Sequence, residues 1–256
     1  MNDSIRHMTQ EIDAALDHGL HSLWLYGSLV LDDFRLGWSD IDFIAFTQGP
    51  ITEDQARRLL SLRQKLSCRC LGNPYYRCFE GVIVSLEEYQ AGRYTRLVYW
   101  GTTGQRITDR FGLDPFSRWE LNICGRLTYG ERVDGLFTEP TRAELIEAVR
   151  RHYESIRRYA VETDDRLYAC GWLLDIARCV YTLRCGGVIS KTKAGAWAFE
   201  EHLFPEEEAL RNTLTIRRAP QAYRDKPEVR AWLRTLGPTV QRYADVLEKE
   251  LQKTIE

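Results

Sequence analysis

The sequence predicts an α+β protein, with an α/β domain over residues 1–139 and an all-helical domain over residues 140–256. Two observations support this prediction. Short apolar runs alternate with amphipathic segments in the first half, whereas apolar residues recur at three- to four-residue spacing through the second half. Hydrophobic residues make up 44% of the chain, so a sizeable core can be buried.

The first half alternates predicted helices and strands. Apolar residues at helical spacing predict a helix over residues 4–18. Apolar runs predict three strands, over residues 22–28, 40–47 and 77–85. Thr52 and Gln55 have the spacing of a capping box, which predicts a helix that ends near Leu66. Together these elements predict a sheet covered by a helical layer.

The sequence of the second half predicts a series of helices. Thr141 and Glu144 form another capping box, which starts a predicted helix that reaches about Ala160. A helix over residues 165–184 is predicted to end at Gly186-Gly187, since glycine is the usual residue just past a helix end. Further helices are predicted over 192–202, over 206–217, and from Pro227 to the end with a break at Gly237-Pro238.

Composition and charge exclude several classes of protein. The net charge of -2 argues against a nucleic-acid partner, which usually demands a basic domain. The seven cysteines form no CxxC pair, so neither a disulfide framework nor a structural zinc site is predicted. The N-terminus does not resemble a signal peptide, and no apolar run reaches the length of a membrane span. A soluble cytoplasmic protein without a membrane partner is therefore predicted, and the sequence leaves its oligomeric state open.

Gly27-Ser28 directly follows the first predicted strand. Glycine permits close approach of another group to the backbone, and a following helix start would offer free N–H groups to a phosphate. The alternative is an ordinary tight turn, which by itself is the commoner explanation of such a pair.

Asp40 and Asp42 flank Ile41 at the start of the second predicted strand. Alternate residues of a strand share a face, so the two carboxylates lie side by side and repel each other unless a cation lies between them. Their hard oxygen ligands suit Mg²⁺. The alternative is a solvated strand end.

Glu80 is an acidic residue within the otherwise apolar third strand. Lone acids in such strands are rare unless they are paired or bind a ligand. A third metal-binding carboxylate and a salt bridge to Arg77 both explain it.

These three features together resemble the nucleotidyltransferase fold of the DNA polymerase β type, in which Gly-Ser is followed by Asp-x-Asp and a later acid. The resemblance implies that Asp40, Asp42 and Glu80 form a catalytic triad of carboxylates that binds two Mg²⁺ ions. It also implies that Ser28 and Ser39 contact phosphates. Nucleotidyl transfer needs charge neutralisation and in-line positioning, which two such ions supply.

The resemblance extends to one family, the aminoglycoside adenylyltransferases that modify streptomycin and spectinomycin. The segments that carry it are LYGSLVLDDFRLGWSDIDFIAF, RCFEGVIV, and the run from Ala177-Arg178 through Tyr181, Gly186 and Lys191 to Ala196-Trp197. It implies a mixed sheet followed by a helical bundle that closes the nucleotide and acceptor cleft. It further implies ATP as co-substrate, Glu80 as the base, and contacts from Gly27, Arg178, Tyr181 and Lys191 to the nucleotide.

The family's pattern is not matched everywhere. The tryptophan that follows a Gly-Glu pair in the family is missing from the stretch Glu120 to Arg126, and Tyr168 stands where the family has a drug-binding aspartate, with Asp164 and Asp165 close by. Residues 90–119 have no counterpart. The expected reaction is AMP transfer to an aminoglycoside hydroxyl. The alternatives are another acceptor (RNA, protein or metabolite) and a nucleotide sensor without turnover.

The two cations of the helical half have alternatives of their own. Arg178 lies in mid-helix, where a structural ion pair with Asp175 or Glu154 would also explain it. Lys191 could be a solvated surface lysine.

Overall fold

The computed structural model describes residues 1–69, 72–101 and 104–254. Cys70, one of the seven cysteines, lies outside these residues, and the six described cysteines are free thiols. The chain divides into two compact units. Unit 1 comprises Met1–Val30, Ser39–Leu113 and Glu120–Thr138, and unit 2 comprises Leu31–Trp38, Asp114–Trp119 and Glu139–Glu256. The predicted domain bounds, 1–139 and 140–256, stay a prediction.

Unit 1 contains a six-stranded sheet in the order β5-β4-β3-β2-β1-β6. Its strands are β1 Leu20–Tyr26, β2 Ile41–Thr47, β3 Phe79–Ser85, β4 Leu97–Gly101, β5 Gly104–Thr108 and β6 Arg126–Gly130. β2 and β3 are parallel and the other neighbours are antiparallel, so the sheet is mixed, as predicted. Three helices have most or all of their residues in this unit: α1 Asn2–Ala15, α2 Glu53–Arg69 and α3 Leu86–Ala91. A fourth, α4 Pro115–Cys124, spans the boundary between the two units in sequence.

Apolar residues cover both faces of this sheet because strand side chains alternate between faces. On one face the ring of Phe43 packs edge-on against Trp100, with centroids 5.6 Å apart. On the other face Trp24 and Phe46 pack against Phe137. Asp42 has the parity of Phe46, so it lies on the second of these faces, at the start of β2.

Unit 2 is helical. Its helices after α4 are α5 Arg142–Tyr159, α6 Tyr168–Cys185, α7 Lys191–Glu200, α8 Glu207–Arg218, α9 Pro220–Tyr223, α10 Pro227–Leu233 and α11 Gly237–Gln252. α6 is the central helix, because α5, α7, α8 and α11 all pack against it and most of its residues are buried. This arrangement confirms the predicted all-helical second half.

Local sequence signals correctly predicted where several helices begin or end. Both capping boxes form: the Thr52 N–H donates to Gln55 at 2.9 Å, and Thr141 and Glu144 cap α5 reciprocally. Gly186 ends α6 with a φ of 78°, a left-handed conformation that glycine adopts without strain. The sequence predicts no helix or strand between residues 86 and 130, whereas the structure has α3, α4 and the short strands β4 to β6 there. No helix among the described residues is long and apolar enough to span a membrane.

Candidate active site

Strand register in unit 1 brings two of the predicted acids together. β2 and β3 run parallel with Asp42 directly opposite Glu80. Residues opposite each other in neighbouring strands project to the same face of a sheet, so the two carboxylates are neighbours on that face. Asp40 lies two residues before Asp42, just ahead of the start of β2. The acids therefore gather at one end of two adjacent strands.

Gly27 leaves the space that the Asp42 carboxylate occupies. β1 pairs with β2 so that Tyr26 is opposite Asp42, and Gly27 follows with a φ of 70°. A Cβ built on Gly27 would lie 2.0 Å from Oδ2 of Asp42, which no side chain tolerates. Glycine is thus required here both for its conformation and for its lack of a side chain.

Ser28 and Ser39 lie beside these acids. Gly27–Leu29 forms a single 3₁₀ turn, and the Ser28 hydroxyl donates a long hydrogen bond, 3.5 Å, to the backbone carbonyl of Asp40. Ser39 is buried immediately before Asp40. The Gly-Ser turn and the Asp-x-Asp motif, separated by a dozen residues in sequence, therefore meet in unit 1.

Tyr99 holds Glu80 and was not predicted from the sequence. Its hydroxyl, on β4, donates to Oε1 of Glu80 at 2.6 Å. Burial, followed by this hydrogen bond, raises the pKa of Tyr99, so the phenol keeps its proton and remains a donor. In the described part of the chain Glu80 bonds to Tyr99 rather than to Arg77, the partner that the alternative explanation required.

Arg63 is a buried cation close to the same acids. Its guanidinium donates to the carbonyl oxygens of Tyr76 at 2.8 Å and Arg77 at 3.2 Å. Burial lowers the pKa of Arg63, and the negative charges of Asp40 and Glu80 oppose that shift. The electrostatic surroundings of the acids thus include a fixed positive charge from α2.

The donor set suits Mg²⁺, although the metal assignment of Asp40, Asp42 and Glu80 stays a prediction. Among residues 1–69, 72–101 and 104–254, no group of three His, Cys, Asp or Glu side chains is already assembled to hold an ion. The register nevertheless places Asp42 and Glu80 side by side, and carboxylate oxygens are the ligands that Mg²⁺ prefers.

In unit 2 the two predicted triphosphate ligands share one carboxylate. Lys191 is the first residue of α7, and its Nζ lies 2.9 Å from Oδ1 of Asp175 in α6. Arg178, one turn after Asp175 on the same helix, lies 3.4 Å from the same oxygen. The ion pair with Asp175, which was the alternative explanation of Arg178, is therefore present, and Lys191 is paired rather than fully solvated.

Aromatic side chains flank this cluster. The Arg178 guanidinium lies 5.1 Å from the ring centroid of Phe116, and His152 packs edge-on against the same ring. Burial lowers the pKa of His152. Tyr181, one turn beyond Arg178, packs edge-on against Trp197 with centroids 5.1 Å apart. Arg178, Lys191 and Tyr181 thus lie where α6 meets α7.

The start of α7 is fixed by a second buried acid, which the sequence did not reveal. Asp33 accepts hydrogen bonds from the backbone N–H and the hydroxyl of Thr192, at 3.2 and 2.5 Å. It also pairs with Arg217 at 3.0 Å, and both partners are about 2% exposed. The residue after Lys191 is thereby anchored within unit 2.

Comparisons with known proteins bear on the family and the fold. Residues 135–250 match the family model described as "Aminoglycoside adenylyltransferase, C-terminal domain". A solved structure of similar fold is the spectinomycin adenyltransferase AAD(9) of Enterococcus faecialis with ATP and spectinomycin: it is 14% identical, with a TM-score of 0.64 over 97% of this chain and 99% of that one. A search of curated proteins found no match. The family match and the shared fold confirm the resemblance predicted from the sequence.

Proposed function

We propose that this chain, a nucleotidyltransferase that carries the C-terminal domain of the aminoglycoside adenylyltransferases, transfers AMP from ATP to a hydroxyl of an aminoglycoside or aminocyclitol. The observation that supports the chemistry best is the register of unit 1. It places Asp42 opposite Glu80, with Gly27 leaving room for the Asp42 carboxylate. Such a set of acids beside a Gly-Ser turn suits phosphate chemistry.

In this proposal each acid has a role. Asp40, Asp42 and Glu80 would hold Mg²⁺, two ions in all, and the metal would supply charge neutralisation at the phosphates. Ser28 and Ser39 would contact phosphate oxygens. Glu80 is the group that receives the acceptor proton, and Tyr99 keeps its carboxylate in place.

The reaction balances without further reagents. The acceptor oxygen forms a bond to the α-phosphorus of ATP, the bond from that phosphorus to the bridging oxygen breaks, and pyrophosphate leaves. The hydroxyl proton passes to the Glu80 carboxylate. Lys191 and Arg178 would contact the triphosphate, which needs cations in charge-assisted hydrogen bonds, and Tyr181 would contact the nucleotide beside them.

The surroundings of Tyr168 bear on the acceptor. Tyr168 is exposed at the start of α6 and packs edge-on against Trp172, 4.9 Å away. The nearby acids already pair with arginines: Asp165 lies 2.6 Å from Arg230 and from Arg234, and Asp164 lies 2.5 Å from Arg166. Since these acids, just before α6, already pair with arginines, they would attract a cationic acceptor less than unpaired acids would.

Mass spectrometry of an acceptor panel tests the proposal. The chain is incubated with ATP, Mg²⁺ and streptomycin, spectinomycin, other aminocyclitols, RNA or a protein mixture, with Asp42→Asn as the control. We expect an AMP adduct on an aminocyclitol that the control does not form. An adduct only on another acceptor would refute the acceptor and leave the chemistry standing. ATP binding without any adduct would favour the sensor.

A further inference from the structure

Asp175 is a buried acid at the centre of the cationic cluster of unit 2. It is 7% exposed in the middle of α6, and its two carboxylate oxygens lie 2.9 and 3.0 Å from Nζ of Lys191. Arg178 lies 3.4 Å away. One carboxylate thus ties together two cations that come from different helices.

Charge stabilises this arrangement. A buried carboxylate is unfavourable unless cations pair with it. Moving Lys191 or Arg178 away from Asp175 would therefore leave a buried negative charge less well compensated and cost free energy. Conversely, the two cations would repel each other without the carboxylate between them. The Lys191 side chain is 27% exposed and the Arg178 side chain 15%, against 10% for Asp175, so Lys191 is the most accessible of the three groups.

We infer that Asp175 is a positioning residue for the triphosphate of the nucleotide. It holds Lys191 and Arg178 at a fixed separation, with a net charge of one positive unit for the three groups. An ammonium has three N–H donors and a guanidinium has five, so the bonds to Asp175 do not by themselves use all the donors of the two cations. This inference rests on the proposed function, in which Lys191 and Arg178 bind ATP.

The chain offers a matched control. Glu250 on α11 is also 7% exposed and also pairs with one arginine and one lysine, Arg184 at 2.7 Å and Lys253 at 2.8 Å. Its change to glutamine removes the same charge from a cluster of the same composition, in the same unit. Neither Glu250 nor its two partners are among the nucleotide contacts.

Calorimetry with ATP and AMP, each with Mg²⁺, compares Asp175→Asn with Glu250→Gln. We expect Asp175→Asn to weaken ATP binding about tenfold or more, as the loss of a charge-assisted contact does. AMP binding should change much less, so the ratio of ATP to AMP affinity falls. Glu250→Gln should leave that ratio unchanged. Both variants lose an ion pair and should melt earlier, so thermal stability alone does not separate the two roles.

A double-mutant cycle tests whether Asp175 acts through Lys191. Lys191→Met should weaken ATP binding, and adding Asp175→Asn should then cost less than it costs in the wild-type chain. If Asp175→Asn does not fold, Asp175→Glu replaces it. Glutamate keeps the charge but moves the carboxylate, so the affinity ratio should still fall.

Three results would overturn the inference. One is a folded Asp175 variant that binds ATP as tightly as the wild-type chain or more tightly. Another is an equal loss for ATP and AMP, which would show a purely structural role. The third is a wild-type chain that binds no ATP, which would refute the proposed function itself and this inference with it.

Discussion

Buried and half-buried acids have different surroundings in the two units. In unit 1, Glu80 accepts a hydrogen bond from a neutral phenol, and Asp42 lies opposite it with a glycine alongside. In unit 2, the three buried acids touch cationic side chains: Asp33 touches Arg217, Asp175 touches Lys191 and Arg178, and Glu250 touches Arg184 and Lys253.

This difference indicates what each group of acids is for. Carboxylates side by side on neighbouring parallel strands bring negative charges together, which a cation that arrives with the substrate would stabilise. Carboxylates surrounded by lysine and arginine use their charge to hold those side chains in place. Substitutions of the unit 1 acids should therefore lower turnover. Substitutions of the buried unit 2 acids should weaken nucleotide binding or lower stability.

The largest effect is expected for Asp42→Asn. Asparagine keeps the shape beside Gly27 but removes the charge that the proposed metal needs, so turnover should fall by on the order of a thousandfold or more. The melting temperature should hold or rise, because repulsion with Glu80 is relieved. Steady-state kinetics and thermal melting measure both, with the exposed Asp54→Asn as a charge-matched control. Near-normal turnover in Asp42→Asn would refute the claim that the unit 1 acids act in catalysis.

Glu80→Gln sharpens the comparison by separating base from ligand. Glutamine retains a ligand oxygen but cannot accept a proton, so turnover should fall by about a hundredfold while ATP–Mg²⁺ still binds. A parallel loss of ATP–Mg²⁺ affinity would show instead that Glu80 is mainly a metal ligand.

Tyr99→Phe keeps the Glu80 charge and removes only its hydrogen bond, so we expect a smaller loss of turnover, of a few fold. Turnover and nucleotide affinity are measured on both variants.

Much of the candidate site in unit 1 could be identified from the sequence because its signals are local. The Gly-Ser turn, the Asp-x-Asp alternation and an acid in an apolar strand are each visible within a few residues. The capping boxes at Thr52 and Thr141 were also readable, since an N-cap and its partner are three residues apart.

The rest depended on contacts between distant residues. Tyr99 reaches Glu80 across 19 positions, and Arg217 reaches Asp33 across 184. Strand β5 shows no clear apolar alternation, because three of its five residues are exposed or nearly so and the strand is short. The sequence indicates Asp175 as a partner of Arg178, one turn away on the same helix. Its second bond, to Lys191, depends on how α6 packs against α7.

The smallest effect concerns Glu250 and the dependence of stability on pH. The hydrogen bond from Arg184, aided by Lys253, lowers the pKa of Glu250 from 4.5 to about 2. A depressed pKa in the folded state means that the ion pair stabilises the protein fully above the unfolded pKa, and that this contribution is lost as the pH falls from about 4.5 towards 2. Glu250→Gln should therefore lower the free energy of unfolding at pH 7 by about 1–3 kcal/mol, and the gap to the wild-type chain should close in acid. Denaturant unfolding at a series of pH values measures that gap.

Other acids with lowered pKa values, such as Glu144, titrate in both the variant and the wild-type chain, so their effects cancel in the difference. A gap that stays constant as the pH falls would show that packing at Glu250, and not its charge, stabilises α11 against α6.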